Sequence, residues 1–229
     1  MIPLRDNVSR RRLTAVNTLL IAANLAAFGY EVFLGNRADR VLEGFGLVPA
    51  RLAAGTLGVA TLFAAATLVT SLFLHGGVLH VAGNMLYLYI FGAAVEERMG
   101  HARYFWFYMA SGIAAGLATV WMAPRSPIPV IGASGAIAGV LGAYFIFYPR
   151  GKILTVIPLF IFIEFVNVPA VLYLLLWFAA QVYGGVEAQA QSGMAGGVAW
   201  WAHVGGFLFG VGVGPVVAQR RRIRRRLAA

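Results

Sequence analysis

Two residues of this chain have the chemistry to cut a covalent bond together. Ser134 lies in GASG, between small residues at the start of an apolar segment, and His203 lies near the start of a later one, in AHVGGFLFG. A serine hydroxyl is a poor nucleophile until a base takes its proton, and neutral imidazole is the usual base near pH 7. The tetrahedral intermediate formed at such a serine needs donors for its oxyanion. His80 and Asn84 are four residues apart, hence on one helical face, and both can donate. The backbone N–H of Ser134, at a helix N-terminus, is a third candidate donor. Each residue has a plainer reading when it stands alone. Gly-x-Ser-Gly in an apolar segment is commonly packing, Asn84 could be an interhelical hydrogen bond, and His203 follows Trp200 and Trp201 and could belong to an interfacial belt.

The elements that must position these residues follow from hydropathy. Of 229 residues, 60% are hydrophobic and 11% charged, with a mean hydropathy of +0.79. That composition reads as a polytopic, all-α membrane protein. Apolar runs predict six transmembrane helices at about 13–33, 77–95, 104–122, 134–148, 168–183 and 199–217. Residues 34–72 form a mixed segment, expected as short amphipathic helices resting in the interface. Residues 153–163 are apolar but broken by Pro158, too short to cross, and are expected at the interface as well. The Gly-rich stretch 184–197 reads as a flexible loop. Residues 1–12 read as a basic cytoplasmic N-terminus with no cleavable signal, 13–217 as the membrane domain, and 218–229 as a basic cytoplasmic tail.

Six spans place both termini on one side. With that side cytoplasmic, 14 of the 18 Lys and Arg residues lie inside, leaving Arg37, Arg40, Arg51 and Arg125 outside, in accord with the positive-inside rule. The net charge of +10 therefore points to anionic lipid headgroups at the basic termini and not to nucleic acid. The chain has no cysteine, which excludes disulfides, thiolate metal sites and a cysteine nucleophile. It has no His-Glu-x-x-His, and its four histidines are not spaced as metal ligands, so no metal and no cofactor are expected.

This topology also sets depth. The second, fourth and sixth spans all run inward from the outer face, so His80, Asn84, Ser134 and His203 fall at similar depth. Buried polar groups cost a few kcal/mol each unless partnered, roughly, and four at one level suggest a shared, water-accessible pocket. His75, five residues before His80, is expected to point elsewhere, and His101 to be solvated in a charged loop. Gly206, Gly210 and Gly214 recur every four residues on the sixth span, as Gly135 and Gly139 do on the fourth. Small residues at that spacing allow close helix contact, and pairing these faces brings His203 towards Ser134. No acidic residue is placed at the right depth beside His203, although Glu31 remains open. A Ser–His dyad is the better reading than a triad.

Taken together, His75-x4-His80-x3-Asn84, GAAVEERMG after it, GASG around Ser134, and AHVGGFLFG with its glycine ladder resemble the rhomboid intramembrane serine proteases of the prokaryotic six-span type. The resemblance implies a rhomboid-like bundle with a membrane-associated first loop. It implies Ser134 as nucleophile, His203 as general base and acid, and His80 with Asn84 as oxyanion donors. It further implies single-span membrane proteins as substrates, cleaved near the outer membrane boundary, and a prokaryotic plasma membrane location. Glu96 and Arg98 would be structural, the fifth span a lateral gate. Some relatives carry an aromatic residue four positions after the serine; here that position is Ala138. Two other readings are a non-catalytic rhomboid-like protein that binds membrane helices and a small-solute transporter. The second lacks an inverted repeat or a mid-membrane charge pair.

Overall fold

The chain builds its framework from helices whose apolar residues outnumber what one buried face needs. A computed structural model describes residues 1–8, 14–55, 59–159, 162–190 and 199–227. In chain order the elements are β1 (Ile2–Asp6), α1 (Ala15–Leu34), α2 (Ala38–Phe45), α3 (Pro49–Ala53), α4 (Val59–Thr70), α5 (Val78–Tyr87), α6 (Ala93–Met99), α7 (His101–Met122), α8 (Ser134–Phe147), β2 (Lys152–Leu159), β3 (Phe162–Pro169), α9 (Ala170–Ala190) and α10 (Trp200–Leu227). A π-helical turn over Leu88–Gly92 joins α5 to α6. Among the described residues, four stretches are long and apolar enough to cross a bilayer: Ala15–Phe45, Val78–Met99, His101–Met122 and Ala170–Ala190. Ser134–Phe147 and Val59–Phe73 are apolar but shorter. Large side chains such as Leu79, Phe33 and Trp121 are 83–89% exposed on the outside of the bundle, where lipid rather than water suits them.

The helix that carries the serine is the centre of the packing. Every residue of α8 from Gly135 to Tyr144 is buried, as expected of a helix that is apolar all round. Helices α7 and α10 flank it. On the α10 side the backbones touch: a Cβ at Gly206 would overlap the carbonyl oxygen of Gly135, and one at Gly210 that of Gly139. Only glycine permits that approach. Gly214 is looser, its Cβ position 3.2 Å from Ile146.

A buried polar group closes the other end. The Glu96 carboxylate accepts hydrogen bonds from the backbone N–H of Val16 (3.0 Å) and Asn17 (2.7 Å) in the first turn of α1, where an anion suits the unpaired donors and the helix dipole. Asn17 in turn donates to the Leu88 carbonyl (3.0 Å) and accepts from the Tyr104 hydroxyl (2.7 Å). His101, expected to be solvated only, lies against Glu96 through Nδ1.

The all-α expectation is corrected. Strands β1, β2 and β3 form an antiparallel sheet in that order, with Ile2 opposite Val156 and Val156 opposite Phe165. The stretch expected as an interfacial segment at 153–163 is mostly strand. Ile153 and Thr155 are buried while Leu154 and Val156 are only partly so, the period of two that a half-buried strand requires. The N-terminus, expected as a basic tail, supplies the third strand, and the Tyr144 hydroxyl at the end of α8 donates to Asp6 (3.1 Å). Strand β3 runs to Pro169, so α9 begins two residues later than expected. It also continues past Tyr183 to Ala190. Gly184 and Gly185, expected in a flexible loop, are helical and pack on Trp200 and Trp201. The remainder of that expected loop, 191–198, lies outside the described residues.

Candidate active site

Ser134 opens α8 after a segment held by the long first connection. That connection is helical at α2, α3 and α4, with a 3-10 turn at Ser71–Phe73. Leu47 and Val130 exchange backbone hydrogen bonds at 3.0 and 2.8 Å, the Ala50 N–H donates to the Ser126 carbonyl, and the Gly132 N–H donates to that of Ser71 (2.9 Å). Gly132 then turns the chain into the helix at φ +113°, a conformation L side chains avoid. A crevice lined by Ser71, Gly132, Ser134, Gly135, Ala199 and Ala202 runs beside the serine.

His203 stands in the first turn of α10, its Nε2 2.8 Å from Ser134 Oγ. Its Nδ1 lies 2.7 Å from Gln181 Oε1 on α9. The proton positions follow from the partners, as they must where hydrogens are inferred. The Trp177 carbonyl can only accept, so the Gln181 amide nitrogen, 3.2 Å away, is the group facing it. Gln181 therefore presents its oxygen to the histidine, and Nδ1 carries the proton. Nε2 is left with a free lone pair that accepts from the serine hydroxyl.

His80 and Asn84 share a face of α5, beside the same turn. A Cβ at Gly132 would lie 2.7 Å from His80 Nε2 and 3.5 Å from Asn84 Nδ2. The Gly76 N–H donates to His80 Nδ1 (3.4 Å), so the proton of the neutral ring sits on Nε2. The Asn84 amide nitrogen is buried with no hydrogen-bond partner among the described residues. Two donor nitrogens thus lie beside the backbone just ahead of Ser134.

One placement differs from the expectations, and the structure fills two that were left open. His75 does not point away: it is 2% exposed, its ring meets His80 edge to face at 5.1 Å, and its backbone N–H donates to Glu31 (3.2 Å). Glu31, left open as a third member, is therefore engaged with the His75 backbone, while His203 meets Gln181. The ring beside His203 is Trp177 of α9, at 5.9 Å between centroids. Ala138 instead lies 3.3 Å from the Cβ position of Gly206, where a larger side chain would push α10 away. Sequence reasoning passed over Gln181 and Trp177. The available signal was a lone amide in an apolar span, which needs a partner. Among the described residues no group of three or more acidic, His or Cys side chains could hold a metal.

The rhomboid domain matches residues 63–220. The chain belongs to the rhomboid family. It is 33% identical over 170 residues to Rhomboid protein 1, mitochondrial, of Saccharomyces cerevisiae, covering 71% of this chain and 46% of that protein. It is 45% identical over 76 residues to Rhomboid protease GluP of Bacillus subtilis, covering 33% of this chain and 14% of that one. A further relative, 33% identical over 76 residues and covering 33% of this chain and 5% of its own length, is Inactive rhomboid protein 1 of Drosophila melanogaster. This rhomboid thus spans less than half the length of the curated relatives it matches, and their names include both proteases and an inactive member.

Proposed function

We propose that this rhomboid is an intramembrane serine endopeptidase. The observation that carries the reading is the 2.8 Å contact between Ser134 Oγ and an imidazole nitrogen whose tautomer leaves it free to accept a proton. Ser134 Oγ attacks the scissile carbonyl carbon while His203 Nε2 takes the hydroxyl proton. The new C–O bond pushes the carbonyl π electrons onto oxygen. His80 Nε2–H, the Asn84 amide and the Ser134 backbone N–H stabilise that oxyanion. Collapse breaks the C–N bond, and His203 returns the proton to the leaving amine. Water, deprotonated by the same histidine, then releases the acyl group.

The reading extends to topology and substrate. Six spans, with α8 and α10 crossing beside the four long helices, put both termini in the cytoplasm of a prokaryotic plasma membrane and the serine in its outer half. The basic termini then meet anionic headgroups. The substrates are single-span membrane proteins that unwind near their outer boundary, where an irregular backbone exposes a peptide bond that helix hides. Helix α9, with Leu172, Leu175 and Leu176 about half exposed, is the side from which such a helix enters.

Fluorophosphonate labelling of the protein in detergent tests the chemistry without a known substrate. Label on wild type, and none on Ser134→Ala or His203→Ala, is the expected result. No label on any of the three would favour the helix-binding, non-catalytic alternative, a class that the inactive relative brings into view.

A further inference from the structure

Of the polar groups around the dyad, Gln181 touches His203 but takes no part in the proposed bond-making steps. It is 7% exposed within the apolar part of α9, and a neutral amide in that setting is costly unless both ends are bonded. Both are: Nε2 donates to the Trp177 carbonyl at 3.2 Å, one turn back on its own helix, and Oε1 receives His203 Nδ1–H at 2.7 Å. The first bond cannot be reversed, because a carbonyl oxygen only accepts. It therefore fixes which end of the amide faces the histidine. The Trp177 ring also packs on the His203 ring, at 5.9 Å between centroids and 38°.

We propose that Gln181 is a positioning residue for the base. Its carbonyl oxygen holds the proton of His203 on Nδ1 and leaves Nε2 bare towards Ser134. The proposal rests on the protease reading above. A carboxylate does this work in a Ser-His-Asp triad and also stabilises the imidazolium. An amide can only orient and fix the tautomer, and it does so without bringing a second charge into an apolar span, where a charge is more costly than a dipole. Without an acceptor at Nδ1 the neutral ring is free to carry its proton on Nε2, facing the serine, where it cannot serve as base. The residue sits on α9, while Ser134 and His203 sit on α8 and α10, so the base is oriented by a third helix.

The test compares wild type with Gln181→Leu, Gln181→Met and Gln181→Glu, with Ser134→Ala as control. Turnover of a single-span model substrate in detergent is measured, along with the 15N shifts of labelled His203 above pH 8. Expected are a kcat about ten- to a hundredfold lower in Gln181→Leu and Gln181→Met, less than the roughly 10²–10⁴ that a general base itself contributes, with KM unchanged. Gln181→Glu, which keeps an acceptor, should recover most of the rate. The His203 signals should show Nδ1 protonated in wild type and a mixed tautomer in Gln181→Leu. An unchanged kcat in both apolar variants would overturn the proposal. So would an equal loss in all three substitutions with the wild-type tautomer kept, which would mark Gln181 as packing only. If wild type shows no Ser134-dependent turnover, the protease reading fails, while the tautomer comparison still decides what Gln181 does.

Discussion

At the scale of single residues, the site is a set of directed protons. Ser134 donates to His203, His203 to Gln181, and Gln181 to a main-chain carbonyl. His80 and Asn84 stand apart from this relay and direct their N–H groups at the turn that Gly132 makes. Buried donors without partners are rare in folded proteins, and the Asn84 amide, which has none among the described residues, is free for the proposed oxyanion role. His80→Ala and Asn84→Ala are each expected to lower kcat about 10²–10³-fold, as loss of one oxyanion donor does, with little change in KM. Turnover of a model substrate checks this, and a rate unchanged by Asn84→Ala would reduce that residue to a packing role.

At the scale of elements, α8 and α10 bring Ser134 and His203 together by backbone contact. Gly206 faces Gly135, and Gly210 faces Gly139, with no room for a Cβ between them. Side chains in that seam would separate the helices and carry His203 away from Ser134. Gly210→Leu should therefore lower the melting temperature, at a cost of about 1–3 kcal/mol or more by overpacking, and suppress fluorophosphonate labelling along with it. Unchanged melting would mean that the seam does not hold the bundle. Glu96 acts on another pair of elements, capping α1 from α6. Replacing it by Ala leaves two N–H groups of α1 without their acceptor, at a cost of about 1–3 kcal/mol for a buried unsatisfied group. Thermal unfolding followed by circular dichroism reads that loss, which should leave the His203 tautomer unmoved.

At the scale of the whole molecule, the three-stranded sheet ties the N-terminus to the connection between α8 and α9. Strand β1 at the N-terminus pairs with β2, which follows α8, and β3 runs directly into α9. Orientation in the membrane is decided at this scale too. The absence of cysteine makes single-cysteine variants free of background. With both termini cytoplasmic, a cysteine at Arg51 or Arg125 should react with an impermeant maleimide on intact cells, and one at Arg5, Arg103 or Lys152 only after permeabilisation. The reverse pattern would overturn the cytoplasmic placement of the termini, and labelling of both sets in intact cells would sink the six-span topology.

Much of the site was legible because polar side chains are costly in apolar segments and therefore informative. Ser134, His203, His80 and Asn84 stood out by type, and a helical count put His80 and Asn84 on one face. Gln181 carried the same signal but no visible partner. Its face depends on where α9 begins, and β3 delays that start to Ala170. The strands themselves were hidden by Pro158 and by a length too short to cross, features that suggested an interfacial segment before they suggested a hairpin.

Hydropathy, charge and motif are properties of short windows, so the chain alone determined membrane residence, family and the residues worth watching. Packing decided the rest. Ser134 and His203 are 69 residues apart, and His203 and Gln181 are 22 apart. The bond between Asn7 and Lys152, where β1 meets β2, spans 145. Contacts at such separations depend on which helix faces touch and how closely. Backbone-to-backbone glycine contact and one amide fixed by a main-chain carbonyl are what select the proton position at His203.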